Sequence, residues 1–174
     1  MKTFLNLLAA VLVVGLLTTG CFDEVTGPYD GPDQIAFAQV NGLFETTVPD
    51  GAGPIAIPTQ LIGSQRSSSF DVSVSVLDER AIRVRDVPTG EGGTEKDTTV
   101  LALPTTASES NYSVPGSYTF PADSSNVPLN VEINNAGLEE PVRLTLRLDG
   151  NEDANIEPAS NWRYFEIQIV PGGG

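Results

Sequence analysis

Val127-Pro128-Leu129-Asn130-Val131-Glu132-Ile133-Asn134-Asn135-Ala136-Gly137-Leu138-Glu139-Glu140-Pro141-Val142-Arg143-Leu144-Thr145-Leu146-Arg147-Leu148-Asp149-Gly150 holds two runs in which every second residue is aliphatic. Successive strand side chains point to opposite faces, so each run offers one greasy face and one wet face. Working outward, Phe70, Val72, Val74 and Val76 repeat the pattern, as do Phe165, Ile167 and Ile169. Weaker alternation covers residues 34–40, 55–61 and 118–120. Turn-forming groups separate the runs: Pro49-Asp50-Gly51, Pro115-Gly116, Asn134-Asn135-Ala136-Gly137 and Asp149-Gly150. Sheets that are apolar on one face must bury those faces against each other. The expectation is therefore an all-β domain, a single Ig-like antiparallel β-sandwich of about seven strands over residues 34–171.

Residues 80–108 break the rhythm. Ile82 and Val84 alternate with Arg83 and Arg85, a polar tip follows, and residues 98–103 are again extended in character. This stretch predicts an extra hairpin or a long ordered loop.

The other end of the chain reads as an address. Lys2 precedes an apolar run over residues 4–17, and Thr18-Thr19-Gly20 leads into Cys21. That is the layout of a secretory signal, residues 1–20, expected to be helical. It is short for a membrane span, which needs about 20 apolar residues. Residues 21–33 are acidic and rich in Gly and Pro, as in a flexible tether. Thr19-Gly20-Cys21 resembles the lipobox of bacterial lipoprotein precursors, with Thr18 where Leu is usual. The resemblance implies cleavage between Gly20 and Cys21 and acylation of Cys21. Several acyl chains on one residue anchor firmly, at about 0.8 kcal/mol per buried methylene. Asp23-Glu24 resembles the export tag of surface lipoproteins in the Bacteroidetes group. The expected location is the cell envelope, lipid-anchored, with the outer membrane favoured.

Composition limits the chemistry. The chain has 174 residues, a formal charge of −14 and no His, and Cys21 is its sole cysteine. The charge argues against nucleic acid, which needs clustered cations. Without His, and with one cysteine spent on lipid, Ser-His and Cys-His nucleophiles and Cys-based zinc sites are ruled out.

Asn111-Tyr112, Phe120-Pro121-Ala122 and Glu139-Glu140 resemble motifs in the second half of Calx-beta-like domains, and of related domains in Bacteroidetes surface lipoproteins. Such families open one strand with Asp-Tyr and precede another with an Asp-Asp…Glu loop. The resemblance implies the same sandwich. Calcium-binding members carry aspartates where this chain has Asn134 and Asn135, and calcium affinity depends on ligand charge.

Three candidate sites remain. Asp149, Asn151, Asp153 and Asn155 place oxygens at alternate positions, as calcium loops do; a solvated acidic loop is the plainer alternative. Trp162 and Tyr164 alternate with the core set Phe165, Ile167 and Ile169, a candidate glycan platform, or else a cap on the sandwich end. Arg80, Arg83 and Arg85 cluster in an acidic chain; they offer a grip on an anionic partner, or pair with Glu91, Glu95 and other acids. Asp97-Thr98-Thr99 also resembles an O-glycosylation sequon. No carboxylate pair sits in a recognisable catalytic setting. The expected function is a non-catalytic envelope lipoprotein whose sandwich binds a protein or glycan, without a cofactor. The alternatives are a calcium-stabilised adhesion domain and a small acid-pair glycoside hydrolase.

Metabolic labelling with an alkyne-tagged fatty acid should mark the wild-type chain, and Cys21→Ser should lose the label. Label retained by the variant refutes the anchor.

Overall fold

The structure is a computed structural model. Contacts divide the chain into Met1–Asp30 and Gly31–Gly174, and the described residues are 31–48, 53–90 and 92–172. The signal, Gly20, Cys21 and the Pro49-Asp50-Gly51 turn lie outside them. Strands in chain order are β1 (Gln34–Phe37), β2 (Glu45–Val48), β3 (Ile55–Ile62), β4 (Phe70–Val76), β5 (Ala81–Pro88), β6 (Thr94–Ala102), β7 (Tyr112–Ser113), β8 (Ser117–Phe120), β9 (Asn126–Ile133), β10 (Val142–Gly150), β11 (Glu157–Pro158) and β12 (Tyr164–Ile169). One sheet has the order β11-β1-β3-β9-β7, the other β2-β12-β10-β4-β8, and β5-β6 stands as a separate hairpin.

The aliphatic rows face inward. Leu129 and Val131 of β9, Leu144, Leu146 and Leu148 of β10, and Phe165, Ile167 and Ile169 of β12 have no solvent exposure, and form one core with Ile35, Phe37, Val72 and Phe120. Phe37 and Phe165 meet across the two sheets with ring centroids 5.4 Å apart. Each fully buried side chain of this kind contributes about 1.5–3 kcal/mol.

Three features differ from the expectation. Two edge pairings are parallel, β1 with β11 and β2 with β12. The cause is a sheet switch: after β1 the chain crosses to the second sheet, and β2 lies beside the last strand. The strands are also more numerous than seven, because short edge segments carry little periodic signal. Third, Asp149-Gly150 is not a turn but the end of β10. Gly150 has φ +83°, and a Cβ there would meet the Ile156 carbonyl oxygen at 2.4 Å, so only glycine fits the bulge.

The interrupted stretch forms the β5-β6 hairpin. It is inserted into what would otherwise be one strand edge. β4 ends at Val76; beyond it Leu77 N–H donates to the Thr145 carbonyl, and Thr106 N–H to that of Arg143. Thr145, fully buried on the outer side of β10, donates its hydroxyl to the Leu103 carbonyl at 2.8 Å, while Thr105 Oγ1 accepts from Thr145 N–H at 3.0 Å. The returning chain thus takes the vacant place beside β10, and the exposed hairpin stands out from it.

Tyr118 links the sheets: its hydroxyl donates to Thr59 Oγ1 at 2.9 Å, and Thr59 donates to the Val127 carbonyl. Burial pushes the Tyr118 phenol well above its ordinary value of 10. The folded state therefore resists losing this proton while the unfolded chain releases it above about pH 10. Its contribution is complete below that pH and declines as pH rises, at up to about 1.4 kcal/mol per pH unit. Urea titrations between pH 8 and 11 should show this decline in wild type and a shallower one in Tyr118→Phe.

Candidate functional site

The outer face of the second sheet carries a trough that runs along β12, from its Ile169 end toward Tyr164. β1 begins at Gln34, opposite Ile62, and Asp33 just before it is held by Arg66 through Nε at 3.1 Å and a terminal nitrogen at 2.7 Å. Loop 151–156 lies at this same end, since Asn151 Nδ2 donates to the Asp71 carbonyl. β10 pairs Val142 with Ile169 and Arg147 with Tyr164, which puts Val142 and Ile169 at the opposite end. There a groove of about 580 Å³ runs over Glu45, Thr47, Val142, Arg143, Glu166 and Gln168. A second cleft, of about 370 Å³, is lined by Phe44, Tyr164, Asn161 and the hairpin base at Leu101 and Ala102. Leu43, Glu45 and Glu166 line both, so the two form one continuous trough.

Its electrostatics follow from strand register. β2 and β12 place Glu45 opposite Glu166. Directly opposed like charges repel, and Arg143 answers Glu166 with Nε at 3.3 Å from Oε2. Leu103 N–H donates to the other oxygen, Oε1, at 3.3 Å. Both Glu166 oxygens are thereby committed, while the exposed Glu45 carboxylate has no partner among the described residues.

Trp162 is not on the strand. It lies in the bend before β12, where its N–H donates to Ala159 O and its carbonyl accepts from Phe37 N–H. Its indole stacks on Phe44, with centroids 6.4 Å apart and planes 21° from parallel, and Trp162 remains 42% exposed. Tyr164 opens β12 facing outward, and the Arg163 guanidinium sits 5.5 Å from its ring centroid. Arg83 reaches the same neighbourhood from the hairpin, donating to Asn161 Oδ1 at 3.0 Å and Ser160 O at 3.4 Å. Arg85 stands opposite Asp97 across the hairpin and Arg80 just ahead of β5. Among the described residues none of the three arginines makes an ion pair; Glu91 lies outside the described residues. Tyr164 thus lines the cleft, Arg83 and Trp162 touch residues that line it, and Arg80 and Arg85 stay on the arm.

The loop at 149–155 is built differently from a cation cage. Asp149 Oδ1 accepts from Arg147 Nε at 2.6 Å, and Arg163 lies 3.9 Å away. Asn151 Oδ1 accepts from Ala154 N–H, and an Asn151–Ile156 bridge closes the turn. Asp153 and Asn155 are exposed on its tip. Among the described residues no three acids gather as a metal site would require.

Asparagines do other work at the opposite end. Buried Asn111 donates from Nδ2 to the Asn134 carbonyl at 3.1 Å and accepts from Ser108 N–H. Asn134 donates to Ser110 O at 3.0 Å while its Oδ1 accepts from Ala136 N–H, and Asn135 donates to Val170 O at 3.3 Å. An aspartate offers no N–H to any of these carbonyls. Glu139 and Glu140 are exposed in the same loop.

Two residues that sequence reading missed, Phe44 and Glu45, complete the trough. A short edge strand gives little local signal, and only pairing with β12, more than a hundred residues away, turns Glu45 toward Glu166.

No family model matches the chain, and no curated protein does. Solved structures do. A crystal structure titled CBD12 from CALX1.2 aligns with TM-score 0.51 at 15% identity, over 79% of this chain and 44% of that one. The apo-form Calx CBD1 domain aligns with TM-score 0.48 at 14% identity, over 82% of this chain and all of that one. A Bacteroides ovatus protein of unknown function aligns with TM-score 0.45 at 16% identity, over 78% of this chain and 43% of that one. The chain therefore spans under half the length of the first and third of these. The first likeness shows a Calx-beta-like β-sandwich.

Asn134→Asp should cost about 1 kcal/mol and the more buried Asn111→Asp about 1–3 kcal/mol, each losing a donor. Urea unfolding measures both. The wild-type melting temperature should be the same in calcium as in chelator; a rise of several degrees in calcium shows a cation bound to the native state.

Proposed function

We propose that the protein is a non-catalytic cell-envelope module, fastened through lipid on Cys21, that presents the trough and hairpin to a partner. The observation that carries this reading is the distribution of exposed apolar groups. The large exposed hydrophobics among the described residues are Leu43, Trp162, Ile82, Val84, Val87 and Val100. Leu43 lines the trough, Trp162 stacks on Phe44 of its lining, and the other four lie on the hairpin whose base walls it. Scattered exposed apolar residues are ordinary, but their concentration on one side marks an interaction surface.

Binding is favoured over catalysis by the state of the acids. Glu45 and Glu166 are the one facing pair in the trough, and Glu166 is occupied on both oxygens. A glycosidase needs two carboxyls free to act on opposite sides of a bond. The calcium-stabilised alternative draws on the fold neighbours, one of which is titled a calcium binding domain. The amide donors at Asn111, Asn134 and Asn135 speak against it here.

The membrane role rests on the N-terminal sequence. Among the described residues no helix is long and apolar enough to cross a bilayer. The outer leaflet of the outer membrane is the proposed location.

Protease added to intact cells should remove the domain while a periplasmic marker protein survives. Survival of both places the domain on the inner side and overturns surface presentation.

A further inference from the structure

We infer that the trough is a binding site for a neutral oligosaccharide, whose pyranose rings lie along the outer face of β2, β12 and β10. This rests on the reading of the protein as a non-catalytic binding module and supplies its ligand class.

The shape suits an extended ligand. The groove and the cleft each fall within or near the usual range of ligand sites, about 300–1,000 Å³, at about 580 and 370 Å³, and they join end to end through Leu43, Glu45 and Glu166. The hairpin base closes one side.

The polar lining calls for a ligand rich in donors and free of negative charge. Among the described residues Arg143 is the sole cation lining the trough, and Glu166 pairs with it. Arg83, at the margin, is already engaged by Asn161 and Ser160. Glu45 remains as an acceptor without a partner among the described residues, in a chain of net charge −14. An anionic polymer meets the repulsion of a strongly acidic chain on approach. Vicinal hydroxyls, in contrast, can donate to Glu45 while Gln168 and Thr47 offer further partners along the row.

The apolar part requires flat C–H surface. Phe44 and Tyr164 line the cleft, and Trp162 braces Phe44 from beside it. Stacking with Trp162 fixes Phe44, and the Arg163 guanidinium backs Tyr164 at 5.5 Å from its ring centroid. A pyranose presents axial C–H groups on one face and hydroxyls around its rim, which meets aromatic rings and edge acceptors together. A protein partner would instead engage the aliphatic row Ile82, Val84 and Val100 on the arm.

Trp162 is the only tryptophan in the chain, so intrinsic fluorescence reports on this site. The full lipidated chain, in a detergent without a sugar headgroup, is titrated with hexasaccharides of glucose (β-1,4 and β-1,3), xylose, mannose and N-acetylglucosamine, and with a sulfated heparin hexasaccharide. Isothermal calorimetry runs in parallel. At least one neutral sugar should give a saturable emission change and matching heat. Glu45→Gln should weaken it about tenfold, a change of about 1.4 kcal/mol. Thr47→Arg, at an exposed position, should abolish it with the fold intact by circular dichroism. Absence of binding by every neutral sugar at millimolar concentration overturns the ligand class, as does binding of the sulfated sugar alone. So does a response that Glu45→Gln and Thr47→Arg leave unchanged. Each of these failures leaves the binding-module reading intact. Binding followed by release of new reducing ends supports the site and overturns the non-catalytic reading.

Discussion

Burial of one face of each sheet against the other is the constraint from which the rest follows. Leu144, Leu146 and Leu148 can turn inward only if Arg143, Thr145 and Arg147 turn outward, because strand side chains alternate. The core therefore determines the composition of the outer face. On β12 the same rule sends Phe165, Ile167 and Ile169 inward and leaves Tyr164, Glu166 and Gln168 outside. The trough is the outward half of strands whose inward half holds the molecule together. Its positions are held by a core of close-packed side chains, and its floor is as rigid as that core.

The inserted hairpin depends on how the β10 edge is completed. An interrupted β4 would leave backbone groups of Thr145 and Arg143 without partners, each costing roughly 1–3 kcal/mol if buried. The chain solves this with threonines. Thr105 and Thr106 supply both backbone and hydroxyl groups to the vacated edge, and Thr145 returns a bond to Leu103. Because the edge is satisfied without the hairpin, the hairpin needs no burial of its own. That frees Ile82, Val84 and Val100 to remain at the surface, and lets Arg83 serve as the tie between arm and sandwich.

The period-two rows were legible in the sequence because alternation is a local property, carried within six to nine residues. What escaped was set by distant parts of the chain. Glu45–Val48 is a four-residue edge segment whose identity comes from parallel pairing with β12, and no feature of its own composition announces that partner. Asp149-Gly150 has the composition of a turn, yet the glycine is required by the close approach of the Ile156 carbonyl inside a bulged strand. Trp162 obeys the parity of β12 on paper, but hydrogen bonds to Ala159 and Phe37 hold it in the preceding bend. The candidate site was half visible for the same reason: Tyr164, Trp162 and Arg83 stand out by residue type, while Phe44 and Glu45 acquire meaning only from the sheet switch.

The loops at the two ends hold their shape by opposite chemistries, and this bears on what a strongly acidic chain can bind. At the end where the described chain begins, charge is balanced internally: Asp33 by Arg66, Asp149 by Arg147. At the other end neutral amides bridge carbonyls through Asn111, Asn134 and Asn135, so strand ends that metal ions could clamp are clamped by N–H donors. Glu45 stands apart from both arrangements, a carboxylate without a balancing charge among the described residues, beside aromatic rings. Repulsion from Glu166 across the register disfavours leaving it there unless something else meets it. A ligand that brings hydroxyl donors satisfies that oxygen without adding charge, whereas a bound cation would compete with Arg143 for Glu166 and loosen the contact that fixes the floor of the trough.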